Sequence, residues 1–351
     1  MSKVTCSKFG DADSCNPKLR QYYIYNEYKK ISPLPASLYR KMKNPLISIL
    51  LPIYNAEAFL EKTLSSLTSQ TFTNFELIAI NDGSTDRSLE IVEEIAKTDP
   101  RIFIYNQPNS GLIETLNRGI KLANCSLIAR ADADDIYHPK RLELQYRRMS
   151  ERPEIVLLGA RTVKIDSKGR TLYQEFQPTD QAGILEALAS GFGVIPHPVA
   201  MYRKSAVIQA GGYSPKAKYC EDVDLWIRLS EIGEIANLDE HLVYYRVHSE
   251  SICSVHWKEQ RENIKQIATK WQKSRNKEVS ENSIWNRPPQ SAVNLALFRA
   301  NQASKQGFHQ SAIRQSLIAL RQSPFKPSSI RTLIKSILNA ISFKSPAVKT
   351  E

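Results

Sequence analysis

The period of the hydrophobic positions changes along this chain. Residues 46–51, 75–80, 101–105 and 126–131 are short, nearly continuous apolar runs, the pattern of strands buried on both faces. Between them the apolar residues recur at helical spacing: Phe59, Leu60, Leu64 and Leu67, then Leu89, Val92 and Ile95 in a helix starting near Thr85, then the stretch 113–122. Asn55 offers a cap to the first of these helices. Strand and helix therefore alternate through three units, which predicts parallel strands with helices on the faces. In such a sheet ligands bind outside the carboxyl ends of the strands. Four polar segments, 52–55, 81–86, 109–111 and 132–135, leave those ends.

After residue 150 the pattern loosens into mixed strands and short helices. Strands are expected over 155–159, 199–203 and 242–247, with a hairpin across Ser167-Lys168-Gly169. An amphipathic helix follows Glu221-Asp222, with Val223, Trp226 and Ile227 on one face. From 256 onward the chain is helical and basic. Ile330, Leu333, Ile334, Ile337, Leu338 and Ile341 form one apolar stripe, while Ala300, Gly307, Ala312, Ala319 and Pro324 resemble a single helix-turn-helix repeat that packs on its neighbours. The expected organisation is a polar arm over 1–44, a sheet-forming unit over 45–255 and a basic helical region over 256–351.

Composition changes this picture in three places. The content, 42% hydrophobic and 24% charged, is that of a folded globular chain. Its longest apolar run, 46–53, contains Ser48 and Pro52 and is too short to span a bilayer, and residues 1–23 lack the apolar stretch of a secretory signal. The five cysteines, Cys6, Cys15, Cys125, Cys220 and Cys253, are scattered without a Cys-x-x-Cys pair. That argues for reduced thiols and a cytoplasmic setting rather than a disulfide framework or a zinc site. The net charge of +12 lies wholly in the tail: residues 261–351 hold 16 Lys+Arg against 4 Asp+Glu, and the first 260 hold 32 of each. The tail is thus expected to touch something anionic. It has no interleaved aromatics for base stacking, so nucleic acid is not the expected partner. Peripheral contact with the inner face of a membrane through the basic C-terminal helices is one reading, and packing of the 328–342 stripe on the rest of the protein is the other.

The candidate chemistry starts where the fourth apolar run ends in Asp132, Asp134 and Asp135. Carboxylates suit a hard divalent cation that keeps sites open for phosphate. On a strand, Asp132 and Asp134 point the same way. Asp134 is assigned to direct ligation and Asp132 to a ribose or a metal-bound water. Asp135 is read as the cap of the helix near His138-Pro139. Asp82, before the turn at Gly83, can accept hydrogen bonds from a base or ribose, and Tyr54 can cover a flat nucleobase. Arg130 has two readings, an ion pair at the core edge or a phosphate contact. Glu221-Asp222 opens a helix, where acids are favoured by the dipole whatever their function, and an ionised Asp there also meets the need of a general base. His248, leaving a strand, is a candidate ligand, and His197 between two prolines a candidate lining of an acceptor pocket.

Together these segments resemble the inverting family 2 glycosyltransferases of GT-A fold, over about residues 46–255. The resemblance is carried by Pro52-Ile53-Tyr54-Asn55-Ala56-Glu57, Asn81-Asp82-Gly83-Ser84-Thr85-Asp86, Gly111 to Gly119, Arg130 to Asp135 and Glu221 to Trp226. It implies a Rossmann-like, mostly parallel sheet with flanking helices, followed by a C-terminal helical extension. It also implies a nucleotide-diphosphate sugar, a UDP-sugar favoured, held by Pro52, Tyr54, Glu57, Asp82, Asn117, Arg130, Asp132 and Asp134. A divalent metal, Mn2+ or Mg2+, would sit on Asp134 with His248 completing its shell. Asp222 would be the base with Glu221 beside it, and His197 and Trp226 would face a saccharide or lipid-linked saccharide acceptor. Two departures narrow the reading. Thr115-Leu116-Asn117 stands where many members have Ala-Arg-Asn, so Arg130 is the substitute for a missing phosphate-facing arginine. The Gln-x-x-Arg-Trp signature of processive members is absent, which favours addition of a single sugar, in cell-surface polysaccharide or glycolipid synthesis. The rival readings are a nucleotidyltransferase, which should carry a Gly- and Arg-rich loop after the first strand, and a catalytically inactive nucleotide-binding scaffold.

Overall fold

The computed structural model describes residues 45–248, 251, 255–276 and 291–342. The arm expected over 1–44 lies outside the described residues. Within them the chain runs β1 (Ile47–Ile53), α1 (Leu60–Thr68), β2 (Phe75–Asp82), α2 (Ser88–Ala96), β3 (Ile102–Gln107), α3 (Leu112–Leu122) and β4 (Leu127–Arg130). It continues through β5 (Ile136–Tyr137), α4 (Arg141–Glu151), β6 (Ile155–Ile165), β7 (Thr171–Gln174), α5 (Gln181–Ala189) and a 3-10 turn (His197–Val199). Then come β8 (Met201–Arg203), α6 (Lys204–Gln209), α7 (Glu221–Ser230), β9 (Glu234–Arg246), α8 (Trp257–Ser274), α9 (Ala292–Lys305), α10 (His309–Gln322) and α11 (Pro327–Ser342).

One sheet takes the order β3-β2-β1-β4-β8-β6-β9-β5, with β7 on β6. The first four strands are parallel, as their unbroken apolar runs require. Alternate side chains go to opposite faces. Ile49, Leu51 and Ile53 join the cluster under α1 and α4, while Leu50, Ile78 and Ile80 join the one under α3, α5 and α7. β8 enters antiparallel to β4 and β6, and β6 then runs parallel to the long β9, so the second half is mixed. The 3-2-1-4 order reverses direction between β1 and β4, and that reversal is where an open α/β sheet leaves a crevice.

The crevice follows from two local facts. The β1–β4 ladder ends at Leu50↔Arg130, and the Leu50 carbonyl takes the Ala131 N–H at 2.9 Å. Pro52, two residues on and therefore facing the same side, has no N–H to offer a further partner. A central strand tolerates this proline because β4 has already turned away there. α3 packs hard against the floor: a methyl added at Gly119 would lie 2.0 Å from Leu50 Cδ1 and 3.1 Å from its Cγ, and Leu50 is fully buried. Gly119→Ala is expected to cost about 1–3 kcal/mol, the usual penalty of an overfilled core. A thermal unfolding curve superimposable on the parent's would refute this.

Some sequence expectations change. Asn55 does not cap α1, whose first residue is preceded by Phe59 without a side-chain cap. Asn55 sits at φ +46° and ties β1's loop to the next one instead. β4 stops at Arg130, so the acidic triplet occupies a turn between β4 and β5 rather than a strand. α4 starts at Arg141 behind Lys140, again with no side-chain cap, so Asp135 caps nothing. The hairpin at 167–169 is present, with Gly169 at φ +80° between β6 and β7.

In the tail, α8 lies along α5 and α7: Ile264, Ile267 and Trp271 join the α5/α7 cluster, and Gln272 Nε2 donates to the Ala189 carbonyl at 3.0 Å. α9 and α10 form a helical hairpin closed at Gly307 (φ +77°), with Ala300, Ala303, Ala312 and Ala319 fully buried. It holds the edge strand β7 through Gln306, which exchanges two hydrogen bonds with the Gln174 backbone at 2.7 and 2.9 Å. Among the described residues no helix is long and apolar enough to cross a membrane.

Candidate active site

The loops after β1 and β2 are stitched together by side chains bonding each other's backbone. Asn55 N–H donates to Ser84 Oγ at 3.1 Å, and Asn55 Oδ1 accepts from Thr85 N–H at 2.9 Å. Glu57 N–H donates to Asp86 Oδ2 at 3.0 Å, and Glu57 Oε2 accepts from Arg87 N–H at 2.9 Å. The hydrogen bonds hold the Asp86 carboxyl below its ordinary range. Glu57 therefore fixes loop shape, while Tyr54 stands exposed on the same loop. Asp82 is buried at the tip of β2. Its carboxylate accepts from Ser110 N–H (2.8 Å), Gly111 N–H (2.9 Å) and Gln107 Nε2 (2.8 Å), so it shapes the loop after β3.

The acidic turn is braced from beneath and behind. Tyr137 of β5 bonds the backbone of Asp132, with its hydroxyl 2.6 Å from the N–H and 3.1 Å from the carbonyl. Because β5 pairs with the end of β9, that strand's last residue and the segment after it are carried to the turn. Arg246 donates its N–H to Asp135 Oδ1 (2.7 Å) and its Nε to the Asp134 carbonyl (2.6 Å), and its guanidinium lies 4.6 Å from the Phe59 ring. His248 Nε2 then reaches Asp134 Oδ2 at 2.9 Å, across 114 residues of sequence.

The residues fit a divalent ion. Asp132, Asp134 and Asp135 each present a carboxylate oxygen, all within 4.8 Å of one another. Asp135 Oδ2 is buried without a hydrogen-bond partner, and burial together with Asp134 and Asp132 drives its carboxyl well above the usual range. A crowded set of carboxylates beside an imidazole is the donor chemistry of Mn2+ or Mg2+ sites more than of thiolate metals.

Arg130 settles on the ion pair of its two readings. Its guanidinium is inside the protein, 2.6 Å from Asp132 Oδ1 and bonded to the Ala131 carbonyl, so it acts on the cleft through Asp132. Burial raises the Asp132 carboxyl and Arg130 pulls it back. Arg141 lies beneath, 2.7 Å from the Arg130 carbonyl.

Glu221 and Asp222 start α7 on the same side. Burial pushes both up, Glu221 to about 8, with the Asp222 charge adding to it, and Asp222 to about 6, where the Val223 N–H at 2.8 Å opposes the rise. Arg130 and Asp132 act on both carboxyls, which places the dyad and the acidic turn in one electrostatic neighbourhood. The environment sets the Glu221 carboxyl higher than that of Asp222, so Asp222 is the more readily ionised of the two.

Behind Glu221 the supports are buried. His197 Nδ1 is 3.8 Å from Glu221 Oε1 and its Nε2 is 2.8 Å from the Tyr213 hydroxyl. Burial, with Arg130 nearby, holds this imidazole neutral. His197 thus backs Glu221 instead of lining an acceptor pocket. Trp226 is likewise beneath the site, fully buried with Nε1 donating to the Ile195 carbonyl at 2.9 Å. Asn117 has a scaffold task too. Its amide donates to the Tyr213 carbonyl and accepts the Tyr213 N–H, both at 2.9 Å, so it fastens α3 to the Gly212-Tyr213 loop rather than facing nucleotide. Sequence reasoning missed Tyr137, Arg141 and Tyr213. By pattern the two tyrosines are ordinary aromatics and Arg141 a surface cation, and the role of each rests on a pairing between distant elements.

The mostly parallel sheet with flanking helices is a GT-A type fold. Residues 48–211 match glycosyl transferase family 2. Over 211 residues the chain is 32% identical to the amylovoran biosynthesis glycosyltransferase AmsE of Erwinia amylovora, covering 59% of this chain and 78% of that protein. Among solved structures, S. aureus TarS 1-349 in complex with UDP-GlcNAc matches with a TM-score of 0.52 at 19% identity, over 84% of this chain and 89% of that one. The mannosyltransferase PcManGT of Pyrobaculum calidifontis, in complex with GDP-Man and Mn2+, matches at 0.50 and 15% identity, over 94% and 95%. The chain belongs to glycosyl transferase family 2 and is a glycosyltransferase, and the structural likenesses carry the fold.

Proposed function

We propose that the protein moves a single sugar from a nucleotide-diphosphate sugar, UDP-linked by preference, to a hydroxyl of a saccharide or lipid-linked saccharide, inverting the anomeric centre. The setting is cytoplasmic, with peripheral contact at the inner face of a membrane, in the assembly of a cell-surface polysaccharide or glycolipid. The observation that carries this reading is the meeting of Asp134 and His248 at 2.9 Å in the cleft whose electrostatics also reach Asp222. The bound nucleotide sugars of the two structural neighbours support the donor class. The amylovoran relative supports a polysaccharide context.

Asp134 and His248, with Asp132 and Asp135 adjoining, would hold Mn2+ or Mg2+. When bound, such an ion neutralises charge on a departing diphosphate. Tyr54 covers the base. Asp82 fixes the loop along which the nucleoside lies. Asp222 takes the proton of the attacking acceptor hydroxyl, and Glu221, whose carboxyl burial pushes up and which His197 backs, adjoins that position.

Testing takes a panel of nucleotide sugars and saccharide acceptors with Mn2+, read as nucleotide diphosphate release and by product NMR for the anomeric configuration. A product retaining the donor configuration would defeat the inverting assignment. The base has a pH signature. Since Asp222 must be ionised to act and its carboxyl is pushed up to about 6, kcat/KM is expected to fall tenfold per pH unit below that value. A limb near 4 would speak against Asp222.

A further inference from the structure

The last helix is amphipathic in the reverse sense. α11 turns its small polar side inward: Ser329 and Ser336 are buried, Ser336 Oγ lies 3.1 Å from Ser316 Oγ of α10, and Asn339 Nδ2 donates to Ser304 Oγ of α9 at 2.7 Å. Its apolar side faces outward. Ile330, Ile334, Ile337, Leu338 and Ile341 are between 40% and 69% exposed, and Phe325, just before the helix, is 93% exposed. Apart from the half-buried Leu333, the stripe read from the sequence therefore does not pack on the rest of the described protein. A contiguous apolar face of this kind marks a surface that something covers.

Charge selects what covers it. Arg331 and Lys335 border the groove that Ile330, Ile334 and Leu338 line. The segment 291–342 holds seven Lys and Arg and no Asp or Glu. A second copy would bring the same sign of charge to the contact and be repelled. An anionic bilayer surface offers both an apolar interior and negative headgroups. A 16-residue helix is about 24 Å long, suited to lying in the plane of the interface.

We propose that α11 docks its Ile330–Ile341 face into the surface of an anionic membrane, with Arg331 and Lys335 at headgroup level. This deepens the peripheral contact named above and does not rest on the transfer reading, because binding is measured without substrate. It supplies the geometry by which a lipid-linked acceptor would be met at the membrane.

The full-length protein is to be floated with vesicles of phosphatidylcholine alone or mixed with phosphatidylglycerol. Flotation is expected with the anionic vesicles only, and weakened by salt. The double variant Ile334→Asp, Leu338→Asp changes exposed side chains, and unchanged circular dichroism and melting would show that it folds. Its partition should drop at least tenfold, and that of Arg331→Glu, Lys335→Glu should drop likewise. Flotation of both variants like the parent, or equal capture by neutral vesicles, would overturn the proposal. So would light scattering that finds a dimer of the parent dispersed by the aspartates, since a second copy would then own the face.

Discussion

Asp222→Asn is expected to bind nucleotide diphosphate as the parent does and to transfer sugar about 10²–10⁴-fold more slowly, the usual worth of a positioned general base. The amide keeps the shape of the side chain, and its oxygen can still accept the Val223 N–H that starts α7. Folding should not suffer, because burial already disfavours the Asp222 charge. Glu221 is the poorer substitute at neutral pH, since burial holds its carboxyl up to about 8, above that of Asp222. Donor binding is proposed for the loops after β1 and β2 and for the acidic turn, not for Asp222. Calorimetry with the nucleotide and initial-rate measurement on the same preparation separate the two effects. Transfer at the parental rate would remove Asp222 from the chemistry.

The parallel half of the sheet was legible because its strands are buried on both faces. Such strands read as unbroken apolar runs, and the helices between them carry a clear 3.6-residue period. The carboxyl-end rule then pointed to the segments that follow β1, β2, β3 and β4. What did not follow from the sequence were the pairings that cross the sheet. Asp134 and His248 are 114 residues apart, and their contact depends on β5 pairing antiparallel with the far end of β9. A two-residue strand such as β5 leaves almost no periodic signal. Asp135 was misread for a local reason. Acid before a proline-started helix is a common cap, and only the position of Arg246 shows that this carboxylate turns toward the strand end instead. Asn117 and Trp226 fell within recognisable segments, yet the motif could not say which side chains of those helices face the cleft and which hold the scaffold. Arg130 is the converse case: two readings stood open, and its burial chose between them.

The charge arrangement around the cleft ties these placements to function. Asp132, Asp134 and Asp135 crowd one turn, with Asp222 nearby. Of the arginines beneath, Arg130 is held by Asp132, Arg141 by backbone carbonyls and Gln145, and Arg246 by the carbonyls of Asp134, Asp166 and Ser167. These cations brace the acids from inside and do not extend toward a ligand. A diphosphate approaching the turn without a counter-ion meets the partly exposed carboxylates of Asp132 and Asp134, which repel it. Nucleotide affinity should therefore depend on a divalent cation.

Asp134→Asn is accordingly expected to weaken nucleotide diphosphate binding in saturating Mn2+ by about 100-fold, roughly 2.7 kcal/mol. It should leave the weak metal-free affinity unchanged or slightly improved, because one repelling charge is gone. The substitution is conservative in shape, and the amide oxygen can still accept from His248 at the position the carboxylate occupies. The backbone of residue 134 also stays fixed, since Arg246 grips its carbonyl at 2.6 Å whatever the side chain. A loss of affinity thus reports on ligation rather than on a collapsed loop. Asp132→Asn provides the contrast. It withdraws the carboxylate that neutralises the buried Arg130 guanidinium, so its main cost should be stability, about 3–5 kcal/mol for a buried charge left uncompensated. Titrating each variant with nucleotide in the presence and absence of Mn2+, alongside a thermal melt, distinguishes the two roles. If Asp134→Asn retained the full gain in affinity on adding Mn2+, the ion would not be held where Asp134 and His248 meet.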